Sequence, residues 1–317
     1  MQNALGDLQK YTRTLICSFY MAANRLSTVR KSTMDYNAGN TSRDAALSLP
    51  VSVLNPMYRV YIASIVNLRN GVNNLRKTVD IMGIPVDYVT MSEAVERVKE
   101  FLREDKVHTI YTPNAEIMMD AMNDPQLAGI LREADMLIAD GAGVVLASRI
   151  LGNNLPEKVP GFDLTKNTFS MNFERKIRYF LFGGKPGIAE TAAQNMLRDY
   201  PNVEIAGCRN GYFSEKDEKE IVEQVNASNA DILLVALGAP KQEKWISRYK
   251  DQLNTRVCIG VGGSLDVVAG NVSLAPDFFR KNGLEWLYRL YKEPWRYKRM
   301  LKLPKYVLKT FAFKLKK

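Results

Sequence analysis

DILLVALGAPKQEKW, residues 231–245, decides the fold. From Ile232 to Leu237 no polar residue interrupts the run, whereas a strand with one wet face would alternate apolar and polar positions. The run therefore reads as a strand buried on both faces, followed by a Gly-Ala-Pro turn and a helix that opens near Gln242. Working outward, five more runs of this kind punctuate the chain: HTIYT (108–112), MLIAD (136–140), IRYFLFG (177–183), VEIAG (203–207) and RVCIGVG (256–262). Between them lie stretches with helical spacing, such as Ile188 to Asp199, Glu215 to Asn226, and Ser92 to Arg103 with Ser92 as its N-cap. Buried strands alternating with helices predict an α/β fold, a Rossmann-like parallel sheet with helices on both faces. No internal repeat or low-complexity segment intervenes.

In such sheets ligands gather beyond the carboxyl ends of the strands. That rule selects Thr112 and Asn114 of TPN, Asp140 of ADGAG, Gly183 and Gly184 of GGKPG, Tyr212 of GCRNGYF, Gln242 of GAPKQEKW, and Gly262, Gly263 and Asp266 of GVGGSLD. Each has a plain reading as well. Asp140 before Gly141 is a turn or a helix cap as readily as a general base at a cleft mouth. Thr112 and Asn114 suit a turn and cap as well as donors to a sugar. The glycine turns match neither GxGxxG nor GxxxxGK[ST], so they are tight connections or places where a nucleotide could approach the backbone. An exposed Gln on a helix means nothing alone.

Composition narrows the chemistry. Cys17, Cys208 and Cys258 are scattered among 317 residues with a single histidine, His108. That excludes a disulfide framework and a multi-His or thiolate metal site, and leaves nothing for a Ser-His-Asp triad. Charge is uneven: residues 1–78 carry 10 Lys/Arg against 3 Asp/Glu, residues 79–279 carry 21 against 29, and residues 280–317 carry 13 against 2. The basic end interleaves Trp286, Leu287, Tyr291, Trp295 and Tyr297 with Arg289, Arg296, Lys298 and Arg299, a pattern suited to a helix lying in a lipid interface. A basic helix packed on the domain is the plainer reading; nucleic acid is not expected, since no RNA-recognition motif accompanies the charge. No stretch reaches the roughly 18 apolar residues that span a bilayer, so a cytoplasmic location is expected. The organisation expected is an N-terminal extension of unassigned function at 1–78, a catalytic domain at 79–282 and a basic, membrane-associating appendage at 283–317.

An ordered series of segments carries a resemblance: VDIMGIPVDYVTMSEAV, TPNAEI, ADGAGVVLASRILG, LPEKVPGFDL, FLFGGKPG, GCRNGYF, LGAPKQEKW, VGGSLDVVAG and GLEWLYRLYKEPWR. Over residues 79 to about 300 the chain resembles the WecG/TagA/CpsF family of glycosyltransferases (glycosyltransferase family 26). The resemblance implies a UDP-sugar donor, an acceptor sugar on a lipid diphosphate at the inner membrane face, no cofactor and no metal. It places the catalytic base on Asp140, sugar contacts on Thr112 and Asn114, an active-site glutamine on Gln242, and nucleotide contacts on Tyr212 and Asp266. Appendage arginines match Arg289, Arg296 and Arg299, and self-association is among the family's implied properties. The donor it favours is UDP-N-acetylmannosamine, with a uronate or another hexose as alternatives. A non-catalytic nucleotide-binding module is the reading from another class, and a nicotinamide enzyme is disfavoured by the missing GxGxxG. One position departs: EKVPGFD carries Lys158 where the family usually has arginine. A lysine offers a compact charge in place of a bidentate fork, so Lys158 is expected still to neutralise a leaving diphosphate, with room for altered efficiency or donor preference.

Overall fold

A computed structural model describes residues 76–316, apart from the side chains of Arg296 and Lys298. The readings made for residues 1–75 and for the Arg296 side chain lie outside the described residues. The chain enters through a hairpin, β1 (Thr78–Ile81) and β2 (Ile84–Asp87), turned by Met82 and Gly83 at φ 54° and 84°. Two successive positive φ values match the right-handed twist of the flanking strands.

Six strands form the main sheet: β3 (His108–Tyr111), β4 (Met136–Leu137), β5 (Ile177–Gly183), β6 (Val203–Arg209), β7 (Ile232–Ala236) and β8 (Val257–Gly260). All pairings are parallel, in the order β4-β3-β8-β7-β5-β6. Each of the six apolar runs became one of these strands, and β7 is buried at every position.

Alternate strand residues feed two cores. Tyr111, Phe180, Phe182, Leu233, Val235 and Cys258 face one side. There they meet the hairpin and helices α2 (Ala115–Ala121), α3 (Pro125–Arg132), α4 (Ala142–Ile150), α7 (Glu218–Ser228) and α8 (Lys241–Tyr249). Ile110, Tyr179, Leu181, Ile232, Leu234 and Ile259 face the other, against α1 (Met91–Arg103), α5 (Gly161–Ser170), α6 (Ile188–Asp199) and α9 (Ser264–Val268).

Helix α1 begins two residues earlier than its expected Ser92 cap allows. Thr90 caps it instead, because Glu93 stands three residues on: Thr90 Oγ1 accepts from the Glu93 N–H, and Glu93 returns a bond to the Thr90 N–H. This reciprocal pair satisfies two otherwise orphaned donors.

Three short helices and a longer one follow α9: α10 (Asp277–Lys281), α11 (Glu285–Lys292), α12 (Tyr297–Met300) and the longer α13 (Lys302–Lys314). α13 is docked on the domain. Tyr306 and Thr310 are fully buried in it, and Tyr306 joins the core shared with α2 and α4. Its opposite side exposes Leu308, Phe311 and Leu315. Among the described residues no helix is long and apolar enough to cross a membrane.

Candidate active site

The carboxyl edge of the sheet opens at β3 and β4. Strand β4 pairs over two residues only, yet the chain continues beside β3: the Ile138 N–H donates to the Tyr111 carbonyl and the Asp140 N–H to that of Pro113. On its other flank the Ala139 carbonyl accepts from the Val159 N–H at 3.1 Å. These bonds carry Asp140 to the floor of a cleft of about 720 Å³, bounded by the start of α4, the segment 157–158 and the appendage.

Asn114 lines this cleft too. Its Oδ1 caps α2, accepting from the Glu116 and Ile117 N–H groups at 2.9 and 3.1 Å. The plain cap reading is therefore correct for its oxygen, and the cap makes no use of its amide nitrogen. Thr112 packs against Gly161, where a Cβ would stand 2.7 Å from Thr112 Oγ1. That contact seats the first turn of α5, and the Gly161 N–H faces the Asp140 carboxylate.

Burial pushes the Asp140 carboxyl up to about 6; Arg289 and Lys158 pull the other way, and Glu285 adds to the rise. A carboxylate poised there is a usable base near neutral pH. Lys158 is held from α10 and α11: its Nζ donates to the Arg280 carbonyl at 3.2 Å and pairs with Glu285 at 3.6 Å. Arg280 bonds both carboxylate oxygens of Asp163, at 2.6 and 2.8 Å. Gly283, at φ 70°, lets the loop between α10 and α11 lie on α4, since a Cβ there would stand 2.7 Å from that of Ala142. Docking thus brings Arg280, Lys281, Glu285, Trp286 and Arg289 into the cleft that Asp140 floors.

Arg299 is not open to the cleft in this structure; it pairs with Glu116 at 2.8 Å, in the first turn of α2. The remaining sequence-selected residues form a second group along the same edge, beyond β5 to β8, and none of them lines the 720 Å³ cleft. Gly183 and Gly184 join strands closely: a Cβ on Gly183 would stand 2.3 Å from the Ala236 carbonyl, and the Gly184 N–H donates to that same oxygen. Tyr212 is 66% exposed on the following loop. Asp266 sits in α9, half-buried. Gln242, expected as an exposed helix residue on pattern alone, is buried; its Oε1 accepts from the Gly262 N–H at 2.9 Å.

Sequence reading missed Arg280 and Glu285 as cleft residues. A signal existed for Glu285, which stands four residues before Arg289 and so shares a helix face with it.

The layout is that of an α/β enzyme with its chemistry at the carboxyl edge of a parallel sheet. The chain belongs to the glycosyl transferase WecG/TagA/CpsF family, whose family model matches residues 79–317. Three similar proteins are each named N-acetylglucosaminyldiphosphoundecaprenol N-acetyl-beta-D-mannosaminyltransferase. The one from Bacillus spizizenii W23 is 39% identical over 207 residues, 65% of this chain and 80% of the relative. Those from Bacillus subtilis 168 and Staphylococcus aureus MRSA252 are 35% and 33% identical, covering 73% and 75% of this chain and 90% and 94% of each relative.

Proposed function

We propose that this glycosyltransferase moves N-acetylmannosamine from UDP-N-acetylmannosamine to N-acetylglucosamine on undecaprenyl diphosphate, with inversion and without a metal. The observation that carries the reading is Asp140, with its carboxyl raised to about 6, on the floor of a cleft lined by Lys158, Arg280, Lys281 and Arg289. Asp140 takes the proton from the acceptor 4-hydroxyl as that oxygen attacks the anomeric carbon and UDP departs. One displacement turns an α-linked donor into a β-linked product, in keeping with the beta-D linkage in the relatives' names. The cations offset charge growing on the leaving diphosphate.

Thr112 and Asn114 hold the sugar beside the base. The glycine loops at 183–184 and 262–263, with Tyr212 and Asp266, take the nucleotide, and Gln242 holds the second loop in place. Residues 79–282 supply the catalytic domain. Residues 283–317 close the cleft with Arg289, and with Arg296 and Arg299 once the diphosphate is bound, and they rest on the inner face of the membrane. Self-association falls within the same proposal, and residues 1–78 are left as an extension without an assigned role.

The test is UDP release from UDP-N-acetylmannosamine, with and without a short-chain lipid-diphosphate N-acetylglucosamine acceptor and in EDTA. Acceptor-dependent release that survives EDTA is expected. Release only with another UDP-sugar would correct the donor, and release abolished by EDTA would overturn metal independence.

A further inference from the structure

Between the ends of β7 and β8 runs a hydrogen-bond chain one residue longer than the reaction as proposed needs. Gln242 Oε1 accepts from the Gly262 N–H at 2.9 Å, and Gln242 Nε2 donates to Glu243 Oε1 at 2.9 Å. A backbone N–H only donates, so the amide oxygen must face Gly262 and the amide nitrogen must find an acceptor elsewhere. Glu243 provides it. From below, Gly260 gives Gln242 its space, because a Cβ there would stand 2.8 Å from Gln242 Nε2.

Glu243 is an expensive residue for this place. It is 1% exposed, and its Oε2 is buried with no hydrogen-bond partner among the described residues. Burial pushes its carboxyl upward. A half-satisfied acid costs stability that an apolar side chain of similar volume would not. Packing alone does not explain it, whereas its bond to Gln242 does.

We propose that Glu243 is a positioning residue: it fixes the Gln242 amide in the one orientation that holds the Gly262 N–H, and so sets the 261–263 turn that leads into α9 for the nucleotide. This rests on the reading of that turn as the nucleotide side of the site. Gly262 stands at φ 53° with no atom within 4 Å of where a Cβ would be. The Ser264 N–H closes the turn around it by donating to the Val261 carbonyl at 3.1 Å, and no side chain packs where a Cβ would be. The Gln242 bond is the side-chain restraint added to that turn, and Glu243 keeps that bond from rotating away.

The experiment compares the full chain with Glu243→Gln, Glu243→Leu and Gly260→Ala. It measures UDP affinity by calorimetry, kcat and KM for the sugar donor, and hydrogen exchange of the Gly262 amide in 15N-glycine-labelled protein. Glu243→Gln still offers a carbonyl to Gln242, so UDP affinity and Gly262 protection stay close to the parent. Glu243→Leu removes the acceptor: UDP binds about 10-fold more weakly, in line with loss of one buried hydrogen bond. KM rises by a similar factor with little change in kcat, and Gly262 exchanges faster. Gly260→Ala pushes on Gln242 without touching Glu243 and gives the same pattern; it carries the comparison if Glu243→Leu fails to fold. Parent-like UDP affinity and Gly262 exchange in either folded variant would overturn the proposal, as would a Glu243→Gln defect equal to that of Glu243→Leu. Should the parent itself bind no UDP, the nucleotide reading fails, while Gly262 exchange still decides whether Glu243 sets the loop.

Discussion

Lys158 and Glu285 lie 3.6 Å apart, joining the segment before α5 to the first residue of α11 across the mouth of the cleft. Glu285 also raises the Asp140 carboxyl, while Lys158 and Arg289 lower it. One acidic side chain from the appendage thus engages a cation of the cleft and tunes the carboxyl proposed as its base. Replacing Glu285 with Gln removes the negative charge and frees Lys158. Both changes favour ionised Asp140, so the acid limb of the kcat/KM profile moves to lower pH. Arg289→Gln moves that limb upward. A pH–rate series checks both, and coincident limbs in all three proteins would remove Asp140 as the group that titrates there.

Asp140→Asn separates activity from stability. Loss of the proposed general base is expected to lower kcat by about 10²–10⁴-fold. Stability moves oppositely. Burial pushes the folded carboxyl up to about 6 from an ordinary 3.8, so the fold holds the proton more tightly than the unfolded chain. Its contribution is most favourable below the unfolded value and is lost as pH rises through about 6. At pH 7 the aspartate is therefore at its most costly, and asparagine relieves on the order of 1–3 kcal/mol. Denaturant melts of both proteins at pH 4 and pH 7 measure this; the gap between them widens at pH 7.

How much of this was written locally in the chain differs by element. The six strands were legible because burial on both faces forces an uninterrupted apolar run, and IRYFLFG has no other simple reading. The hairpin before α1 was not, since its strands are four residues each and VDIMGIPVD mixes polar and apolar positions. It is secured from a distance instead: buried Asp87 accepts from Arg76, Arg97 and the Leu137 N–H. The site divides in the same way. Asp140 and Asn114 follow strands and could be found from pattern. The pairing of Lys158 with Glu285, and the Arg280–Asp163 bond, join residues more than a hundred positions apart, and no local period encodes them. Gln242 was chosen for its position, but only its burial reveals that it acts on Gly262.

The two glycine turns respond differently to alanine. At Gly183 a Cβ would strike the Ala236 carbonyl at 2.3 Å with φ at 135°, so Gly183→Ala must spread β5 from β7. The cost is several kcal/mol, in the range of severe overpacking. Gly262→Ala meets no atom, and only its φ of 53° is unfavourable, for about 1–2 kcal/mol. Thermal unfolding ranks them, with Gly183→Ala far below Gly262→Ala. Equal melting temperatures would contradict the close approach of these strands.

Tyr306 anchors α13 by its ring, not its hydroxyl. The side chain is fully buried and its Oη has no hydrogen-bond partner among the described residues. Tyr306→Phe removes an unpaired polar atom and is neutral or slightly stabilising. Tyr306→Ala leaves a cavity and costs about 3–5 kcal/mol, the range for a buried aromatic. For this reason, deletion of residues after Asn282 should lower the stability of the domain as well as its activity. Urea titrations of the two point variants decide the matter: a loss in Tyr306→Phe comparable to that in Tyr306→Ala would show that the hydroxyl has a partner.

The outer face of α13 gives the last test. Leu308, Phe311 and Leu315 are 68%, 49% and 88% exposed, three and four residues apart, and so form one stripe opposite buried Tyr306 and Thr310. Lys305, Lys309 and Lys316 lie on the same helix or just beyond it. An apolar stripe beside lysines is drawn to a lipid interface by burial, at roughly 1.5–3 kcal/mol per large side chain, and by attraction to anionic head groups. Replacing the three apolar residues with Ser should lower sedimentation with phosphatidylglycerol-containing vesicles by at least about 10-fold, far more than raised salt does, and leave the melting temperature near that of the parent. Salt should weaken binding of the parent to anionic vesicles and leave its weaker binding to phosphatidylcholine unchanged. If the triple variant partitions like the parent, this stripe is not the membrane contact, and the aromatic residues of α11 and the turn after it, Trp286, Tyr291 and Trp295, become the surface to change next.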